Sequence, residues 1–463
     1  MTIDPQDLTG LPGPRYRALA EALGRAIRDG RLRPGARLPT QRDLAFRLDV
    51  TVGTVGRAYA LAEQRGLVSC EVGRGSYVRD VAGPVQSLTS VEGLGDDVVD
   101  LRLNAPSSTP LDTELTAEIA ALAAAPEAIE LLRGYAPGTG LAPHREAAAR
   151  WLGELGIPAQ PQRIVMTGGA QAGLYLSLAV LTQPGDTVLV EQLCYAGARD
   201  VALRLRLRLE GVAMDQEGML PDALAEAAAS SGARIAVVTP SLHNPTTIQM
   251  PESRRRELIR VASAAGIRIV EDDIYGPFVA IRPPALAAMA PDSVIHVASL
   301  SKAVLPGLRA GCILAPPDLV APLSQAIHAQ RVDESPFVQG ILARWLERGL
   351  LARALGEQRA EATARQELAR HRLAGLDLVS PPCGLHAWLR LPAGWEAAEA
   401  ERRLAERGVH VAPAYLFWAG RGTPPRAIRL ALGRPATRAR LAGALDVIAD
   451  TLKATREAPA PVL

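Results

Sequence analysis

The 463-residue chain is 48% hydrophobic and 22% charged, the balance of a globular protein of two or three domains. No apolar run approaches the ~18 residues of a membrane helix, and Met1-Thr2-Ile3-Asp4-Pro5 lacks the basic and apolar regions of a secretory signal. The net charge of +2 is uneven: residues 1–80 carry 13 arginines against nine acidic side chains, so the first region is the one expected to meet a polyanion.

Residues 15–29 read as a helix, and Arg33-Pro34-Gly35 ends the turn after it. In Leu38-Pro39-Thr40-Gln41-Arg42-Asp43-Leu44-Ala45, Pro39 and Thr40 start a short helix. A second helix spans 51–65. Two short helices joined by a tight turn form a helix-turn-helix, whose second helix presents its N-terminal residues to bases in the major groove. A hairpin over 68–78, tipped by Gly73-Arg74-Gly75, would be a wing. The stretches LPTQRDLA (38–45), TVGTVGRAY (51–59) and GLVSCEVGRGSYV (66–78) resemble the winged helix-turn-helix of the GntR regulators. That resemblance implies a DNA-binding domain over 12–80, with Arg42, Thr51, Thr54, Arg57 and Arg74 as DNA contacts. Val52 stands where the family commonly has arginine, so base reading there rests less on a side chain.

Residues 81–100 scatter Gly, Ser, Asp and Pro without a sustained period and read as a linker. From 101 to 455, apolar runs at 163–167, 187–190, 234–239, 267–271, 294–298 and 311–315 read as buried strands separated by Ala-rich helices. This is the α/β pattern of a parallel sheet with crossover helices. Four scattered cysteines, Cys70, Cys194, Cys312 and Cys383, have no ligand spacing, which argues against a metal site or disulfide framework and fits a reducing cytoplasm.

The chemistry collects after these strands, the side on which open α/β sheets bind ligands. Gly168-Gly169-Ala170-Gln171 opens a helix whose uncovered amides suit a phosphate. Tyr195 follows the next strand, where an aromatic could cover a planar ring, and Asn244-Pro245-Thr246 offers a donor to a phenolate oxygen. In Asp272-Asp273-Ile274-Tyr275, Asp272 could keep a pyridine nitrogen protonated and Tyr275 would sit beside the phenolate. The acidic pair could instead bind a metal, although no histidine or further carboxylate is near it in sequence.

Lys302 carries the strongest signal. Only two lysines, Lys302 and Lys453, occur against 49 arginines, and a guanidinium cannot form a Schiff base. The order Ser299-Leu300-Ser301-Lys302, with Arg309 seven residues on, supplies an amine for an aldehyde and hydroxyl and guanidinium groups for a phosphate. The expected cofactor is pyridoxal 5'-phosphate.

The region 101–455 resembles the fold-type I aminotransferases, which implies a mainly parallel large domain and a smaller C-terminal α+β domain. By that resemblance Lys302 is the Schiff-base lysine, Asp272 meets the pyridine nitrogen, and Asn244 and Tyr275 meet the phenolate. Tyr195 covers the ring, and Gly169, Ala170, Ser299 and Arg309 hold the phosphate, to which the residue reading adds Ser301. The resemblance further implies that Tyr135 reaches the phosphate of the neighbouring subunit in a homodimer and that Arg429 grips a substrate carboxylate. Thr247 departs from the pattern, since Asn-Pro-Thr is usually followed by glycine.

Both halves together resemble the MocR type of GntR regulator. This implies a cytoplasmic transcription regulator binding a double-stranded DNA operator and sensing an amino acid, an amine or the cofactor itself through an aldimine at Lys302. The alternative is a working aminotransferase that carries a DNA-binding head.

Overall fold

The computed structural model describes residues 3, 8, 14–28, 31–32, 35–64, 68–71, 75–78, 98–133, 135–300, 302–330, 335–420 and 423–454. The chain divides into two compact units, a head formed mainly by residues up to Gly93 and a body from Leu94 onward.

Among the described residues the head comprises helices α1 (Arg15–Arg28), α2 (Gln41–Leu48) and α3 (Val52–Gln64) and strands β1 (Val68–Glu71) and β2 (Gly75–Val78). Thr40 is the N-cap of α2: its hydroxyl accepts from the Asp43 amide at 3.2 Å and donates to the Asp43 carboxylate at 2.7 Å. The helix stops at Asp49, which takes a left-handed conformation, φ 49°. Thr51 repeats the capping device, accepting from the Thr54 amide at 3.2 Å. The apolar faces meet in a core of Leu19, Leu23, Leu44, Val55, Ala58 and Val68. Buried Tyr59 donates to the Pro39 carbonyl at 2.9 Å and so ties α3 to the turn before α2. β1 and β2 pair antiparallel, and Arg37 bridges to Tyr77. The wing tip with Arg74 lies outside the described residues.

In the body, seven strands among the described residues form the central sheet, in the order 164–167, 311–314, 294–299, 268–272, 235–238, 187–191, 208–212. The last five pair in parallel, while Gly311–Leu314 runs antiparallel to both its neighbours. Strands such as Ile235–Val238 and Val294–Ser299 are buried throughout, because helices cover both faces. Helix Ala170–Leu181 lies close against the sheet: a side chain at Gly173 would put its Cβ 2.9 Å from Val297. The edge strand Arg208–Val212 escapes a sequence reading, because its half-buried Arg-Leu-Glu-Gly-Val has no continuous apolar run.

Among the described residues four antiparallel strands, ordered 377–379, 386–390, 427–431, 412–413, form a second sheet. Its core includes Leu389, Leu404, Ile428, Leu441 and Ile448. Val99–Asp100 pairs in parallel with Val409–His410. Residues 99 and 100, expected at the end of the linker, are therefore part of the body; the rest of the expected linker lies outside the described residues, apart from Val98.

Thr40→Ala should remove the α2 cap and destabilise the head by about 1 kcal/mol. Hydrogen exchange of the α2 amides in the full chain should accelerate accordingly, while the body's exchange stays unchanged.

Candidate functional site

The sheet's central strands deliver the reactive groups. Asp272 ends Arg268–Asp272, Lys302 follows Val294–Ser299, and Asn244 and Tyr195 lie in the loops after Ile235–Val238 and Thr187–Glu191. Asp272 is buried, and its Oδ1 has no hydrogen-bond partner among the described residues. Burial pushes its carboxyl up to about 6; Asp273 adds to the shift, while the Ile274 amide, His296 and Lys302 oppose it. A protonated ring nitrogen is the partner such an oxygen lacks, so the residues present fit pyridoxal phosphate.

Burial lowers Lys302 to about 8, with Arg429 and Arg309 contributing and Asp272 opposing. Its amine donates to the Asn104 carbonyl at 2.5 Å. Tyr275 is buried, its phenol pushed up to about 12, and its oxygen lies 2.8 Å from the Asn104 amide nitrogen.

Arg429, in the strand Ala427–Ala431, is buried and lowered to about 10 by loss of water. It donates to Asn244 Oδ1 at 2.9 Å and to the Arg102 carbonyl, and it lies 4.9 Å from the centre of the Phe417 ring. Asn244 therefore spends its side-chain oxygen on Arg429, which leaves its NH₂ group for another acceptor. Tyr195 caps helix Ala196–Leu205 and is partly buried; Gly197 gives its ring room, since a Cβ there would sit 2.3 Å from it.

On the phosphate side, Gly169 caps helix Ala170–Leu181 with φ 86°, a conformation that favours glycine. Ser299 is buried and donates to the Ala310 carbonyl at 3.0 Å. Arg309 is exposed, with its charge felt at Lys302. Ser301 lies outside the described residues. Tyr135 is 90% exposed on the surface of the chain.

Several participants carry no sequence signal. Asn104 and His386 lie 282 positions apart yet meet at 3.1 Å. Behind Asp272, His296 contacts Glu271 at 2.9 Å, Asp273 stands 3.7 Å from the same ring, and Arg282 donates to Asp273. Burial opposes ionisation of Glu271, but His296 and the Ala287 and Leu286 amides hold it below the usual carboxylate range. A histidine does therefore stand beside the acidic pair, although no cluster able to hold a metal occurs among the described residues.

In the head, Arg42, Thr51 and Arg57 are exposed and Thr54 is half-buried. The Thr51 and Thr54 hydroxyls lie 2.9 Å apart, engaged in the start of α3. Arg57 lies 5.3 Å from the centre of the Tyr16 ring and donates to the Gly53 carbonyl at 3.4 Å. Val52 is 45% exposed at the tip of α3.

Residues 15–78 match the family described as Bacterial regulatory proteins, gntR family, and residues 96–445 match Aminotransferase class I and II. The chain is 30% identical to the uncharacterized HTH-type transcriptional regulator YdeF of Bacillus subtilis, over 92% of this chain and 91% of that one. It is 29% identical to the uncharacterized HTH-type transcriptional regulator YdcR of Escherichia coli, over 88% and 92%. Among solved structures it is similar to LysN, the alpha-aminoadipate aminotransferase of Thermus thermophilus, with TM-score 0.71, 26% identity and coverage of 81% and 95%. A DNA-binding head and a pyridoxal-phosphate-binding body, in that order and over nearly the whole polypeptide, make this chain a member of the MocR type of GntR transcription regulators.

Proposed function

We propose that this pyridoxal-phosphate-dependent DNA-binding regulator senses an α-amino acid or related amino carboxylate at the Lys302 pocket. The observation that carries this reading is the pairing, in one buried pocket, of a lysine lowered to about 8 with an arginine whose hydrogen-bond partners among the described residues are uncharged. An amine and a carboxylate on one small molecule answer that pair.

The bound cofactor supplies an aldehyde that exchanges one amine for another. Lys302 holds it, and Asp272 keeps its ring nitrogen protonated. Tyr275 and Asn244 face its ring oxygen, and Tyr195 covers its ring. Gly169, Ala170, Ser299, Ser301 and Arg309, with Tyr135 of the partner subunit, hold its phosphate in a homodimer. Arg429 takes the effector's carboxylate by giving up the Arg102 carbonyl. The effector acts on DNA affinity through its different affinities for two body conformations. In the head, Arg42 and Arg74 contact phosphates, and Arg57, with Thr51 and Thr54, works at the groove. The protein works in the cytoplasm. A working aminotransferase would use the same pocket, and steady-state amino-group transfer from a panel of amino acids separates it from a sensor.

Lys302→Ala should abolish the cofactor's visible absorption band while circular dichroism stays unchanged. Because only the neutral amine attacks an aldehyde, coupling of added pyridoxal phosphate to wild-type apo-protein should accelerate with pH and level off above about 8. A plateau delayed to the pH of an ordinary lysine would contradict the pocket's role.

Arg429→Gln should leave the cofactor bound but weaken amino acid binding by about 2–3 kcal/mol, raising the half-saturating concentration roughly thirtyfold or more. Decarboxylated amines should respond equally in both proteins. Equal amino acid responses would remove the carboxylate role.

On DNA, Arg57→Ala should cost about 1–3 kcal/mol on the operator and less on random duplex. Binding should also weaken steeply with salt, because each neutralised phosphate releases counterions. Electrophoretic titration of both duplexes at two salt concentrations measures these differences.

A further inference from the structure

Asn104 lies just past Val99–Asp100, and His386 opens the strand His386–Arg390; both side chains are buried. The His386 Nε2 is 3.1 Å from the His243 carbonyl oxygen. A carbonyl only accepts, so Nε2 carries the ring hydrogen. Burial, then the charge of Arg429, pushes His386 down to about 3, so the ring is neutral and Nδ1 is a bare acceptor. The Asn104 Nδ2 stands 3.1 Å from that Nδ1 and 2.8 Å from the Tyr275 hydroxyl. An acceptor at His386 orients the amide with NH₂ inward, one N–H for each partner. The Tyr275 oxygen thus receives a hydrogen bond, and its own proton must point elsewhere.

We propose that Asn104, oriented by His386, is a positioning residue that commits the Tyr275 hydroxyl to donating into the cofactor pocket, onto the ring oxygen of pyridoxal phosphate. The Tyr275 proton can take more than one position, and the His386 ring is centred 5.2 Å from that of Tyr275. Asn104 occupies the His386 Nδ1 and donates to Tyr275 at the same time. The other groups acting on Tyr275 are Arg429 and Asp272, with Tyr195 also close enough to interact. Lys302 reaches the Asn104 carbonyl. Arg429 and Asp272 act on Tyr275 through charge, whereas Asn104 acts through a hydrogen bond that sets the direction of its proton.

This inference rests on the cofactor being held at Lys302. Donation from Tyr275 draws negative charge off the ring oxygen beside the Lys302 nitrogen. Loss of that donor leaves more charge there and keeps the nitrogen protonated to higher pH. The measurement is the pH midpoint of the visible band in full-length, cofactor-loaded protein. Asn104→Leu and the smaller Asn104→Ser should each raise the midpoint by about one pH unit or more, as should Tyr275→Phe. Adding Asn104→Leu to Tyr275→Phe should produce no further shift. Asn104→Ser keeps the test open should leucine disturb folding, which circular dichroism monitors. A retained band with an unchanged midpoint in the Asn104 variants would overturn the proposal. So would an equal shift from Asn104→Leu with and without the Tyr275 hydroxyl. Failure of the cofactor assignment looks different, because wild-type protein would then show no visible band.

Discussion

Water stabilises an ionised side chain, and taking that water away costs several kcal/mol unless a partner replaces it. The body imposes this loss on Lys302, Asp272 and Arg429 in one pocket. Each moves toward its neutral form, Lys302 to about 8, Asp272 to about 6 and Arg429 to about 10. The protein supplies only partial compensation: a carbonyl for the lysine, a backbone amide for the aspartate, and an amide oxygen and a carbonyl for the arginine. What remains unmet is one acceptor, one amine and one cation, and a charged ring with an amino carboxylate answers all three. Elements around the pocket serve this arrangement. The parallel strands place Asp272 at a buried strand end, and Glu271, His296, Asp273 and Arg282 contact one another in the layer behind it.

The pocket's chemistry was readable in sequence where a residue type had no alternative. Arginine serves every other cationic task here except at Lys453, so Lys302 stands out by its chemistry. The inner strands were readable because burial on both faces demands unbroken apolar runs. Direction was not readable: Gly311–Leu314 is an apolar run like the strands on either side, yet runs antiparallel to both. Nor were Asn104, Arg102 and His386, whose roles arise from contacts across hundreds of positions; Arg102 acts through its carbonyl, which any residue possesses. The exposed Tyr135 was readable only through family resemblance, since its expected partner is on another chain.

Buried arginines show why the guanidinium dominates elsewhere. Arg255 is fully buried and donates to three carbonyls and the Ser241 hydroxyl, while Glu271 stands 3.9 Å away. Its five N–H groups spread across several backbone segments and pin them together. A lysine could not span the same set. Arg365 does comparable work near the C-terminal sheet, donating to the carbonyls of Leu432, Gly433 and Pro435. Much of the body's polar interior is thus fastened through planar cations, and Lys302 is one of only two positions in the sequence that keep the flexible amine.

The pairing of Val99–Asp100 with Val409–His410 has a mechanical consequence. Beyond the linker, the chain is fastened at Val99–Asp100 to the C-terminal domain, a few residues before Arg102 and Asn104 touch the pocket. Asp100 adds a second fastening, its carboxylate standing 3.9 Å from Arg434. The tether to the head thus has a fixed anchor at residues 99–100, on the domain that carries Arg429. A rotation of that domain displaces the anchor by the full arc of the movement. The tether's origin therefore reports the domain's position directly, as a pointer fixed to a shaft reports its angle.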